Sequence, residues 1–460
     1  MIFLKNSPTL LLVQYPLLRL IPKPLPTAMR LYHSLIVLFP AILLVGCEKP
    51  CSNSSNNDTT SVIIYKERIS QADIDLLKSL GLKKTLTCPC DSNLQLWGDT
   101  TDIPIFGHDG LANNGDSKPG GASGSRIRAN ILPTLGFEVS PDYIVRSPDI
   151  NDHSIKNLIL FPETLPGGGL IGIMDTGVHS NNFWNNENDP KANDAIDNDR
   201  NGLINDYQGW NFVNGTNVVT NADEAHGTMV NYLLERELRG KSYKIVPMVV
   251  LNEKKEGRLF KMLCAMAYST KIPDLKTINA SLGYYGPKSA VLETFIGKLK
   301  DRGIMLVAAA GNAHPSDSCD NSGNPRDLDV RKYKFYPASH SKEFSNVISA
   351  TTVYTFHETT RIAPDQNFSK RYVDVGVMGD KEKYFEFKTD SSGLDFDWGS
   401  SYATPIAAAF SFSGQTHPLS LPNQKDIILS TTPGIIPNRY KFKAVTYPIN
   451  ASIRSGVLVR

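Results

Sequence analysis

From Leu170 onwards the sequence predicts an α/β fold: a parallel β-sheet with helices on both faces, preceded by a small α+β unit. Two observations carry the main prediction. Short, wholly apolar, β-branched runs alternate with segments of helical period. Runs without a polar side must be buried on both faces, which a parallel sheet covered by helices provides. A third observation, a strand–helix–strand pattern from SVIIY to LQLW before residue 106, sets the smaller unit apart.

The elements follow in order. SVIIY and LQLW read as strands, and SQADIDLLKSLG between them reads as a capped helix stopped by glycine. GHDGLANNGDSKPGGASGS, beginning at Gly107, has the composition of a loop or linker. Then come LIGIM, HGTMVNYLLEREL, YKIVPMVVL, GRLFKMLCAMAYS, KTINASLG, KSAVLETFIGKLKDRG, IMLVAAAGN and NVISATTVY, strand and helix in turn. In KSAVLETFIGKLKDRG, Val291, Leu292, Phe295, Ile296 and Leu299 share one helical face, and Gly303 ends the helix. No internal repeat interrupts this order.

The 460 residues are 41% apolar and 20% charged, ordinary for a soluble globular chain. A net charge of +2 lacks the basic excess of a nucleic-acid binder. Six cysteines imply no disulfide framework. Cys88 and Cys90 form a CPC pair without a companion cluster of zinc-site spacing. A local disulfide or a structural role is the better reading, and the pairing stays open.

From Met29 the chain runs MRLYHSLIVLFPAILLVGC, a short basic start and an apolar stretch ending at Cys47. The stretch is short for a bilayer span and reads as an export signal. It resembles a bacterial lipoprotein signal, which implies acylation of Cys47 and a membrane anchor at the N-terminus. The divisions expected are an upstream extension (1–28), the signal (29–46), a polar tether (47–60), the small unit (61–106) and a linker with lead-in (107–154). The large domain (155–430) and a tail (431–460) complete the chain.

The chemistry collects where apolar strands end, as functional residues do in open α/β sheets. LIGIM runs into Asp175-Thr176-Gly177, IMLVAAA into Gly311-Asn312, and His226 opens a helix. Gly399-Ser400-Ser401 precedes the apolar run ATPIAAAF, so Ser401 is either a helix cap or a nucleophile placed at a helix N-terminus. A carboxylate, an imidazole, a hydroxyl and an amide donor are the parts of an acyl-transfer site. Taken together, DTG, HGT, AAAGN and GSSYATP, in that order, resemble the motifs of subtilisin-like serine proteases. The Asp, His, Ser order differs from that of hydrolases with a nucleophile elbow.

The resemblance implies an exported serine endopeptidase of subtilisin-like fold that acts on protein or peptide substrates through an acyl-enzyme. Asp175, His226 and Ser401 would form the triad, with Asn312 as oxyanion donor and no cofactor in the chemistry. INASLG resembles the family's substrate-binding strand, so Ser281, Leu282 and Gly283 would pair with an extended peptide. Residues 61–106 would be a propeptide or a permanent accessory unit. A monomer is expected, and the lipoprotein-type signal implies lipid anchoring in a bacterial envelope, at the outer membrane or cell surface in a Gram-negative cell. The alternative is a catalytically inactive peptide-binding surface lipoprotein of the same fold.

Asp175 and His226 stand 51 positions apart. Between them Asp197, Asp199 and Asn201 alternate before Gly202, like the start of an EF-hand loop, with Asp206 as a further ligand. A structural calcium ion and a solvated Asx-rich loop fit this stretch equally well. A second insert follows Asn312.

Overall fold

A computed structural model describes residues 58–99, 131–148, 155–164, 167–190, 194–220, 226–312 and 326–415 (apart from 332, 358, 391 and 392), with short segments between 424 and 458. Cys47, the expected signal, most of the expected tether and the insert at 313–325 lie outside the described residues.

The N-terminal unit is a four-stranded sheet with one helix. Strands β1 (Asp58–Tyr65), β2 (Leu82–Cys88), β3 (Asp91–Asp99) and β4 (Glu138–Asp142) lie in the order β2-β3-β1-β4, with antiparallel pairs throughout. Helix α1 (Gln71–Ser79) starts with a capping box: the Asp73 N–H donates to Ser70 Oγ at 3.2 Å and the Ser70 N–H to Asp73 Oδ2 at 2.8 Å. Its Leu77 packs with Val62, Ile64 and Trp97 on one side of the sheet. The fourth strand corrects the expected division at residue 106. β4 comes from the segment read as linker, because β1 still had an open edge to satisfy.

The large domain is built on a ten-stranded sheet. Its centre holds β6 (Gly169–Asp175) between β8 (Tyr243–Val249) and β10 (Leu275–Ala280), both parallel to it, with β7 (Trp210–Asn211) outside β8. Beyond β10 lie Met305–Ala309, Val347–Phe356, Val375–Met378 and Gly456–Leu458, again parallel. The parallel, doubly covered sheet is the architecture expected. The tail read as a separate segment instead adds strands: Gly456–Leu458, and Ile435–Pro437 antiparallel to it.

Alternation along β6 explains how two cores form. Leu170 and Met174 enter one core with α3 (Leu259–Ser269) and α4 (Ala290–Asp301). Ile171 and Ile173 enter the other with α2 (His226–Glu237) and α5 (Ser400–Gly414). The N-terminal unit shares the first core: Ile63, Tyr65, Leu94 and Leu96 belong to it. Tyr65 meets Phe295 of α4 edge-on at 5.4 Å between centroids, and Lys298 Nζ bonds Asp91 Oδ2 at 2.9 Å.

Glu235 near the end of α2 is 1% exposed and accepts from Ser180 Oγ at 2.8 Å and Asn182 Nδ2 at 3.1 Å. Burial pushes its carboxyl from the ordinary 4.5 up to about 7, against those hydrogen bonds. Between these values the folded protein holds a proton that the unfolded chain has released. The stability this confers is complete below pH 4.5 and is lost as the pH rises through about 7. Denaturation midpoints should fall across that window, and Glu235→Gln should flatten the slope. An unchanged slope would assign the dependence to other groups.

Candidate active site

Asp175 is the last residue of β6 and His226 the first of α2. His226 Nδ1 lies 2.7 Å from Asp175 Oδ1, and the two residues are only 3% and 1% exposed. Exclusion of water strengthens such a bond and fixes the imidazole's orientation. The flanking motif residues bring the two elements together. The Gly227 N–H donates to Thr176 Oγ1 at 3.1 Å, and the His179 N–H to Thr228 Oγ1 at 3.1 Å. Position 227 has no room for a side chain: a Cβ there would stand 2.2 Å from the Gly177 carbonyl oxygen.

Ser401 sits in the first turn of α5, and α5 packs on α2. The ring of the next residue, Tyr402, lies 5.7 Å from that of His226. Tyr402 is held by its hydroxyl, which donates to Asp397 Oδ2 at 2.8 Å. Asn312 follows the strand Met305–Ala309 and is 4% exposed. Its Oδ1 accepts from the Ser400 N–H at 3.0 Å, while the Gly311 N–H donates to Ser400 Oγ at 3.1 Å. Committing Oδ1 in this way sets the amide so that Nδ2 is the atom left to donate toward a reacting carbonyl. The four sequence-predicted chemical residues therefore gather at adjoining ends of β6, α2, α5 and the strand Met305–Ala309.

Of the predicted peptide-binding residues, Gly283 already carries an extended partner, and the partner is this chain. Arg146 and Gly283 exchange both backbone hydrogen bonds at 2.9 Å. On its other side β5 (Ile144–Arg146) pairs antiparallel with β9 (Glu256–Arg258), and the Ser147 N–H donates to the Lys255 carbonyl at 3.1 Å. Ser147 Oγ then lies 3.1 Å from His226 Nε2. Ser281 has a different contact: its hydroxyl donates to the Ser401 carbonyl at 2.8 Å. Leu282 is buried in the core. The cleft segment was not legible beforehand, because nothing local in DYIVRSPD says which strand edges it will join.

The Asp-rich loop is partly rearranged from the expectation. Asp199 and Asp206 do converge, but their third partner is Asp189, with oxygens all within 4.8 Å of one another. Asn201 Nδ2 donates to Asp199 at 2.9 Å and to Asp206 at 3.0 Å. Asp197 belongs to the turn instead, its carboxylate accepting the N–H groups of Asn201 and Gly202 at 3.0 and 2.9 Å. Desolvation pushes the Asp206 carboxyl up to about 7, and Asp199 and Asp189 add repulsion; hydrogen bonds from Tyr268 and Asn201 oppose the shift. A cation with a taste for oxygen ligands fits this donor set, since it would offset both the burial and the repulsion.

Comparison with known proteins adds the following. The model of the Subtilase family matches residues 167–411. "Subtilisin-like protease 1" of Plasmodium berghei is 27% identical over 231 residues, covering 45% of this chain and 37% of that protein. Its namesake in Plasmodium falciparum is 26% identical over 226 residues, covering 45% and 32%. The matched region thus spans about a third of these relatives' length. Among solved structures, fervidolysin from Fervidobacterium pennivorans, a keratinolytic enzyme related to subtilisin, superposes with a TM-score of 0.54 at 13% identity over 87% of this chain and 60% of its own. A serine-to-alanine mutant of the epidermin leader peptide processing serine protease from Staphylococcus aureus gives 0.50 at 16% identity, over 86% and 97%. At such identities these likenesses speak for the fold.

Proposed function

The chain belongs to the Subtilase family, a family of serine proteases, and from that premise we propose that it is an exported serine endopeptidase. The observation that carries this reading is the buried Asp175–His226 bond, whose imidazole turns its other nitrogen to a cleft holding extended peptide. Once Ser147 withdraws, His226 Nε2 takes the Ser401 Oγ proton as that oxygen attacks a peptide carbonyl. Asp175 steadies the imidazolium. Asn312 Nδ2 and the Ser401 N–H stabilise the tetrahedral oxyanion. His226 returns the proton to the leaving amine, and water hydrolyses the acyl-enzyme with His226 again as base.

Residues 58–147 serve in this reading as a propeptide. The sheet docks on α3 and α4, and its trailing segment lies where substrate would pair with Gly283. Self-cleavage is expected on the C-terminal side of Ser147. In this reading the N-terminal stretch is an export signal, and the protein is held in a bacterial envelope by a lipid on Cys47. Covalent labelling by a fluorophosphonate probe tests the whole reading. Labelling of the wild type after loss of an N-terminal fragment, but not of Ser401→Ala, is the expected result. A folded wild type that takes no label even after that fragment is removed would hand the lead to a peptide-binding role.

Asp189, Asp199 and Asp206 would hold a structural calcium ion, which supplies charge neutralisation and takes no part in bond cleavage. EDTA should lower the melting temperature, and calcium should restore it in wild type but not in Asp189→Asn. Equal melting temperatures with and without calcium would leave these residues as a turn network.

A further inference from the structure

The cleft holds a segment of this chain in extended form, and the side chains of that segment show what the cleft reads. β5 runs between two partners, antiparallel to β9 on one side and bridged to Gly283 on the other. Side chains along a strand point alternately to opposite faces. Val145 and Ser147 turn inward and are buried: Val145 joins the core with Leu251, Leu259 and Leu282, and Ser147 reaches His226. Arg146, between them, turns the other way and is half-buried. The residue directly opposite it on β9 is Glu256, and the Arg146 Nε–H donates to Glu256 Oε1 at 2.8 Å. On the other side the opposite residue is Gly283, where a Cβ would stand 2.4 Å from the Tyr336 carbonyl oxygen. That strand therefore offers no side chain at this register. Arg258, two residues on from Glu256 in β9, is turned to the Asp142 carbonyl oxygen at 3.4 Å. The charge presented at the register of Arg146 is thus the Glu256 carboxylate.

We propose that Glu256 is a specificity-determining residue that selects substrates with a basic side chain at the position pairing with Gly283. The proposal rests on the protease reading and deepens it: the substrates are polypeptides with an extended stretch in which arginine or lysine takes the place of Arg146. Once the N-terminal unit leaves, β9 loses β5, and its edge is open to an incoming strand. Main-chain hydrogen bonds then hold any extended peptide, and side chains decide among peptides. Opposite charges directly across an antiparallel pair attract, and like charges there repel. The Arg146 and Glu256 side chains are 37% and 41% exposed, so water screens the attraction and the preference is graded, not absolute.

The test uses the folded chain after loss of its N-terminal fragment, by self-cleavage or by limited proteolysis. Its substrates are quenched peptides copied from residues 143–152, with Arg, Ala or Glu at the position of Arg146. In wild type, kcat/KM is expected to be about two- to fivefold higher for the Arg peptide than for the Ala peptide, the size of an exposed ion pair. The Glu peptide should be lower again, and added salt should narrow both ratios. Glu256→Gln, which keeps the shape of the side chain, should level Arg and Ala. Glu256→Lys should reverse the order, so that the Glu peptide leads. Equal rates for the Arg and Glu peptides in wild type, or an unchanged order in Glu256→Lys, would overturn the proposal. The pair would then serve only to dock the N-terminal unit. A folded wild type that cleaves none of the peptides would count against the protease reading, and competition for a fluorescent Arg peptide, read by anisotropy, would then decide the subsite by itself. Tighter binding of the Arg than of the Glu peptide, reversed in Glu256→Lys, would support the proposal, and equal binding would overturn it.

Discussion

Ser401→Ala is expected to lower kcat by about a million-fold and to leave KM for an extended peptide nearly unchanged. The size of this loss is borrowed from subtilisin, the worked case for removal of a triad member, and is not calculated for this chain. Its physical basis is present here. Without the hydroxyl, the proton acceptor His226 has nothing to deprotonate, however well Asp175 holds it at 2.7 Å. Adding His226→Ala to Ser401→Ala should therefore cost little more. Asn312→Ala should fall in between, at about a hundred- to a thousand-fold in kcat, again by the subtilisin precedent. That variant also removes the Oδ1 acceptor of the Ser400 N–H, so its melting temperature should be measured beside its kinetics. Steady-state rates on variants whose N-terminal unit has been removed in trans by wild-type enzyme, with protein concentration set by absorbance, check all three. Additive losses in the double mutant would mean that Ser401 and His226 do not act as one unit.

Gly227→Ala is expected to destabilise the protein by about 2 kcal/mol and to reduce kcat by about a hundred-fold. Two effects oppose each other at this position. Alanine favours a helix over glycine by about 1 kcal/mol. The added Cβ, however, would meet the Gly177 carbonyl oxygen at 2.2 Å and Asp175 Cβ at 3.1 Å, in the strand end and turn that carry the Asp175 carboxylate. Overpacking of this kind costs about 1–3 kcal/mol, and a shift of about 1 Å in a catalytic group costs about a hundred-fold in rate. The clash should win, because backbone cannot turn aside as a flexible side chain can. Urea denaturation and kcat measured together decide it. A more stable, fully active variant would show that α2 can retreat from β6.

Gly227 also shows why so much of the site could be read from the chain. Thr176, Gly177, Gly227 and Thr228 interlock β6 with α2, so the letters around Asp175 and His226 record a steric and hydrogen-bonded fit. The same holds for Gly311, Asn312 and Ser400. Such requirements are local: a strand end, a helix start, a residue small enough for close approach. The Asp-rich loop was legible only in part for the opposite reason. Asp197 and Asp199 are neighbours in sequence with different jobs, and Asp189 joins Asp199 and Asp206 from outside the EF-hand-like stretch.

By itself, then, the sequence determined the alternation of buried strands and amphipathic helices, the residues at their ends, and hence the set Asp175, His226, Asn312 and Ser401. Each of these depends on periodicity or on chemistry within a few residues. Only the tertiary structure decided that β4 completes the N-terminal sheet, that Gly456–Leu458 joins the large one, and that Arg146 and Ser147 lie against Gly283 and His226. Those pairings join residues far apart along the chain. Their partners are chosen by which edges and apolar faces remain open once the local elements have formed.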